Sequence, residues 1–98
     1  MPVIYATTLG GREATAARDL CDCLYGQGDT SVECKPLTPG AFLAKFADST
    51  ALDKCLSMKY FKSLIKRVEL YDYVVMGALP QGQYSKVKRI GEYIFIKI

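Results

Sequence analysis

Glycine and proline divide this chain into short apolar segments that alternate between strand-like and helix-like periodicity, and this order constrains the fold most tightly. Val3 to Leu9 is β-branched and aromatic, and Gly10-Gly11 ends it. From Arg12 to Tyr25, Ala17, Leu20, Cys21 and Leu24 recur at spacings of three and four, an amphipathic helix closed by Gly26 and Gly28. Ser31 to Lys35 alternates as a second strand, and Pro36 to Gly40 reads as a turn. Ala41 to Phe46 is apolar enough for a central strand. Asp48, Ser49 or Thr50 can cap a second helix bearing Leu52, Cys55 and Leu56, and a short turn from Tyr60 to Ile65 continues it or rests on it. Arg67 to Met76 is a fourth strand. A loop from Gly77 to Gln83 and the basic stretch Lys86-Val87-Lys88-Arg89 lead to a last strand, Tyr93 to Ile98. The order predicts an α+β class: a ferredoxin-like βαββαβ sandwich with an additional C-terminal strand. The sheet face away from the helices is either open or covered by the terminal segment. At 98 residues the chain is read as one domain spanning 1–98.

Charge and composition narrow the function. The first 53 residues hold four basic against seven acidic side chains, net −3. The remainder holds nine against three, net +6. That asymmetry predicts one basic face suited to a polyanion, against the plainer reading of chance clustering on a solvated surface. There is no His, Asn or Trp. Without His, Ser-His-Asp and Cys-His catalysis and His-ligated metals are excluded. No carboxylates are spaced so as to be forced together for acid–base work. The expectation is a binding module rather than an enzyme, with no catalytic residue, metal or cofactor. No apolar run is long enough to span a bilayer, and the N-terminal residues lack a secretory pattern, so a cytoplasmic protein with no membrane partner is expected.

Cys21, Cys23, Cys34 and Cys55 contain no CxxC pair. They are either buried thiols, which pack as small apolar groups, or disulfides of the kind found inside hyperthermophiles. The lack of Asn fits a thermophile. On a helix Cys21 and Cys23 point about 200° apart, so they do not pair with each other. The remaining choices stay open.

Three groups are candidate phosphate contacts. Gly10, Gly11 and Arg12 join a strand to a helix, where backbone amides can hold an anion or the glycines can simply make a tight turn. Lys59, Lys62 and Lys66 recur at helical spacing, and Arg67 continues the charge. Tyr60 and Phe61 lie among them, to stack on bases or to enter the core. Lys86, Lys88 and Arg89 form another cluster, which would also protect an edge strand from unwanted pairing. The other tyrosines are expected to pack with wet hydroxyls.

Thr7-Thr8-Leu9-Gly10-Gly11-Arg12-Glu13 with Ala16, Ala17 and Leu20 resembles the strand–helix junction that opens THUMP domains. Pro39-Gly40-Ala41-Phe42-Leu43, Phe61 to Val68 and Ile90 to Ile96 resemble later strands of that family. The closest likeness is to small stand-alone archaeal THUMP proteins. The resemblance implies an RNA-binding module, gripping tRNA or another structured RNA and serving a tRNA-modifying enzyme as adaptor. Two alternatives share the element order. One is a NusG-type N-terminal domain that docks on RNA polymerase through an apolar patch. The other is an acylphosphatase-like hydrolase, whose chemistry implies an Asn that is absent here.

Overall fold

A computed structural model describes residues 1–98. In chain order the elements are β1 (Val3–Thr8), α1 (Glu13–Gly26), β2 (Glu33–Thr38), β3 (Ala41–Lys45), α2 (Ser49–Leu56), α3 (Lys59–Leu64), β4 (Ile65–Tyr71), β5 (Tyr73–Met76), β6 (Lys86–Ile90) and β7 (Tyr93–Lys97). The protein is a small mixed α/β fold of three helices and two antiparallel sheets. The first sheet has the order β2-β3-β1-β4 and the second β5-β7-β6.

The expected single additional strand is therefore corrected to a whole second sheet. Two local features account for it. Asp72 interrupts the fourth strand: its amide donates to the Ile96 carbonyl and its carboxylate accepts from the Ile98 amide. Arg67 to Met76 thus becomes two strands in different sheets. The stretch Lys86 to Ile90, read only as a basic approach to the last strand, pairs along its length with β7. A row of alternating lysines has no apolar period to betray it.

The turn expected at Pro36 to Gly40 is shorter than anticipated. β2 runs on through Pro36 to Thr38, because β2 is an edge strand and a proline there need not donate inward. Gly40 takes φ +84° in the remaining turn, where an added Cβ would come within 3.2 Å of the Thr8 carbonyl oxygen.

The central strands of the first sheet, β1 and β3, are buried on both faces. Ile4, Ala6, Phe42 and Ala44 meet Ala16, Ala17, Leu20 and Leu24 of α1, with Ala51, Leu52, Phe61 and Leu64 completing the layer. Phe61 is thus a core residue. On the opposite face Val3, Tyr5, Ala41 and Leu43 pack with Tyr71 and Phe95. The Phe95 ring lies 5.6 Å from Tyr5 and 5.5 Å from Tyr71, centroid to centroid. This is why β1 and β3 read as nearly continuous apolar runs. Tyr71 does not carry the wet hydroxyl expected of it; it is fully buried and donates to Glu69.

Polar pins lock the helices to this sandwich. Asp48 caps α2, accepting from the Thr50 and Ala51 amides. The four cysteines form two bridges: Cys21–Cys34 joins α1 to β2, and Cys23–Cys55 joins α1 to α2. Their Cα atoms are 5.9 and 6.1 Å apart, within the ordinary disulfide range. No helix is long and apolar enough to cross a membrane.

Candidate nucleic-acid interface

Both sheets end in a basic strand on the same side of the molecule. β4 is the edge of the first sheet and β6 the edge of the second. In a strand alternate residues share a face. Arg67, Glu69 and Tyr71 therefore look across to Lys86 and Lys88 on β6. The Lys88 ammonium lies 3.1 and 3.2 Å from the two Glu69 carboxylate oxygens, Arg67 Nε lies at 3.1 Å and Lys86 Nζ at 3.6 Å. The Tyr71 hydroxyl donates to the same carboxylate at 2.6 Å. Lys88 also sits 4.2 Å above the Tyr5 ring, and Lys86 5.5 Å above that of Tyr71.

Three cations thus converge on one carboxylate, leaving a surplus of positive charge. Arg67 and Lys86 are more than half exposed at their side chains while Glu69 is 11% exposed. Glu69 acts as a largely covered hub and the cations present their outer atoms to solvent. The Tyr71 hydroxyl bond, together with Lys88 and Lys86, holds the Glu69 carboxyl at a pKa of about 2 against an opposing burial effect. Burial, and then the ionised Glu69, push the Tyr71 hydroxyl well above the usual tyrosine value.

A titration follows from this. The Glu69 pKa is lowered, so its contribution to stability is complete above the ordinary value of 4.5 and is lost as pH falls from there toward 2. Carboxyl-detected NMR should show Glu69 still ionised at pH 3.5, and Glu69→Gln should flatten the acid limb of a stability–pH curve between those limits. A Glu69 midpoint near 4.5 would show that the hub is not formed.

The other expected contacts divide. Lys66 is the extra residue of a β-bulge opposite Thr7 and Thr8, exposed beside Arg67. Lys62, in the last turn of α3, leads directly into this edge, and Lys59 opens the same helix; both are exposed. Arg89 lies on β6 but points to the far face of the second sheet, since its neighbour Lys88 points inward. Tyr60 donates to Asp19 of α1 instead of standing free.

Gly10, Gly11 and Arg12 form a turn whose anion is already supplied by the chain. The Glu13 carboxylate accepts from the Gly11 amide at 3.0 Å and from the Gly40 amide at 2.7 Å. The Gly40 bond is the largest cause of a lowered Glu13 pKa. Gly11 takes φ +84°, as the tight turn requires. Glu69 was missed at the sequence level. The signal was present in Arg67-x-Glu69-x-Tyr71, three polar-tipped side chains at period two, but nothing in the sequence says that β6 lies across from them.

Residues 3–69, from β1 into β4, match the family described as protein of unknown function (DUF3195), N-terminal domain. No curated protein matches the sequence. The family match overturns the likeness to THUMP domains. Three of the four stretches behind that likeness lie inside residues 3–69. Their shared features, a glycine turn before a helix and a Pro-Gly turn before a strand, follow from backbone geometry: both Gly11 and Gly40 take positive φ. Any chain with these turns selects glycine there. With residues 3–69 of its 98 inside the match, the chain belongs to the DUF3195 family.

Proposed function

We propose that the protein is an RNA-binding module that grips the phosphates of a structured RNA along the β4–β6 side. The observation that carries this reading is the convergence of Arg67, Lys86 and Lys88 on the single, largely covered carboxylate of Glu69. The hub fixes the cations in place, and Lys62 and Lys66, in no ion pair, extend the row. Lysines and arginines so placed replace condensed counterions and read shape rather than bases.

The strand order β2-β3-β1-β4 with α1 and α2 fits the ferredoxin-like arrangement. RNA-binding sheets of that general kind stack bases on aromatic side chains of an open face. Here Tyr5 and Tyr71 are buried beneath the second sheet. That leaves phosphate contact at the edges as the available mode. A tRNA-modifying enzyme as partner rested on the THUMP likeness alone and forms no part of the proposal. A cytoplasm compatible with two disulfides is a thermophile's, and we place the protein there.

Fluorescence anisotropy with a folded tRNA and with duplex DNA, across a salt series, tests the reading. The affinity should fall by about 0.7–0.9 log units per log unit of salt for each phosphate engaged. Lys62→Glu with Lys66→Glu should weaken binding at least about tenfold, and Lys54→Glu on α2 should leave it unchanged. A dissociation constant no tighter than about 100 μM at physiological salt would overturn it.

A second reading is favoured by Val68 and Leu70, which are 40% and 54% exposed on the helix side of β4. They form an apolar strip of the sort that a protein-docking domain of NusG type presents. Leu70→Asp separates the two, since it should spare RNA binding and abolish capture of RNA polymerase.

A further inference from the structure

The opposite side of the sandwich is also open, and it holds the molecule's one cavity, of about 130 Å³. Its walls come from both sheets, from the edge strand β2 and its neighbour β3 on one side and from the edge strand β5 with Tyr93 of β7 on the other. Leu43, Val74, Met76 and the Tyr93 ring make the walls apolar. Leu43 is buried, whereas Met76 is 59% exposed at the mouth.

The charges at the mouth do not balance. Glu33 is engaged by Lys45 at 3.8 Å. Lys35 lies in none of the ion pairs of the structure; its ammonium stands 5.4 Å over the centroid of the Tyr93 ring. The Tyr93 hydroxyl, and Glu33 and Glu92 at longer range, favour the charged form of Lys35. No carboxylate lies within 4 Å of it, so the cavity is an apolar slot whose ammonium has no direct ion pair. A cation would meet two lysines there, Lys35 and Lys45, and one carboxylate, Glu33, that Lys45 already engages. The volume is close to that of an apolar cavity that admits benzene, about 150 Å³, which limits the apolar body of a ligand to about one ring.

We propose that this cleft binds a small monocarboxylate with an apolar body the size of a single ring, its carboxylate on Lys35 and its body against Leu43, Val74 and Met76. Binding of this kind bridges the two sheets at β2 and β5. It lies across the molecule from the Glu69 hub and does not depend on the RNA-binding reading.

The test is a methyl-detected NMR titration of the full chain with benzoate, with benzylamine and benzyl alcohol as controls. Benzoate should give saturable shifts at the Leu43, Val74 and Met76 methyls, with a dissociation constant of about 1–10 mM, the range open to so small a ligand. Lys35→Gln should weaken binding at least about fivefold by removing a charge-assisted hydrogen bond. Glu33→Gln should tighten it about two- to fivefold, because Lys45 is then free to approach the carboxylate. Both residues are exposed, and an unchanged fingerprint spectrum confirms that each variant is folded. Equal shifts with benzylamine, no saturation up to about 50 mM benzoate, or affinity unchanged in a folded Lys35→Gln protein would overturn the proposal.

Discussion

Reduction of the two disulfides should produce the largest stability loss available to this protein without altering a single residue. Cys21–Cys34 closes a loop with a sequence separation of 13 and Cys23–Cys55 one of 32. The chain-entropy relation assigns them about 3 and about 3.7 kcal/mol respectively. The loops overlap between Cys23 and Cys34, so the joint effect is less than the sum, about 5–6 kcal/mol. Domains of this size hold only about 5–15 kcal/mol in total. At about 4–8 °C per kcal/mol, the melting temperature should fall by at least about 20 °C. Both bridges anchor α1, one to the sheet and one to α2, so amides of that helix should lose protection first. Thermal unfolding with and without a phosphine reductant, alongside a thiol count, is the check. Four titratable thiols with an unchanged midpoint would show that the bridges contribute nothing.

Asp29 should be the most sensitive single position. It is 3% exposed, and its carboxylate accepts from the Ser31 amide at 3.2 Å, from Ala47 at 2.8 Å and from Asp48 at 2.9 Å. It thereby ties the segment after α1 to the start of α2. Asp29→Ala leaves three amides without their acceptor, and the expected cost is about 3–5 kcal/mol. Asp29→Asn retains one acceptor oxygen and should cost less. Burial works against the charge, but the Asp48, Ala47 and Ser31 amides outweigh it, and the pKa lies below its ordinary 3.8. The sign follows: the carboxylate's contribution is complete above pH 3.8 and is lost as pH falls through the lowered value. Urea denaturation of both variants at pH 7 and pH 3 measures this. The gap between Asp29→Ala and the native protein should be narrower at pH 3 than at pH 7, and a gap that stays constant would rule out ionisation as the cause.

The Glu69 hub and the Asp29 clamp use shielded acids for different ends. Asp29 meets only backbone amides and serves the fold. Glu69 meets three side-chain cations, and its effect is to order charges that remain in contact with water. Losing Asp29 should impair everything, whereas losing Glu69 should chiefly loosen the geometry of Arg67, Lys86 and Lys88.

How much of this was legible before folding can be judged residue by residue. Ala17, Leu20 and Leu24 declare their helix because burial on one face imposes a period near 3.6. A cap is legible at Asp48, Ser49 or Thr50, and the structure places it at Asp48, whose carboxylate meets two free amides. Val3 to Leu9 declares a strand and Ala41 to Phe46 a central one; the strands observed, Val3–Thr8 and Ala41–Lys45, are both central and buried on both faces. The concentration of positive charge after Asp53 predicts a basic side, and β4 and β6 supply one. These features are local, or are sums over the chain, and one dimension can carry them.

The rest depends on which elements meet. Lys86 and Lys88 alternate with Val87 and Arg89, and only their contact with Glu69 shows which face is which. The anion-binding promise of the glycine turn is taken up by Glu13 because the β2–β3 hairpin brings Gly40 beside it, 27 residues further on. The disulfide partners, the second sheet and the cleft beside Lys35 likewise arise from contacts between distant segments. The sequence by itself determined the strands of the first sheet in outline, the two longer helices and the sign of the charge, because these follow from neighbours along the chain. Tertiary structure alone decided which charges are paired and which stand free, because a carboxylate's partners are chosen by distance in space.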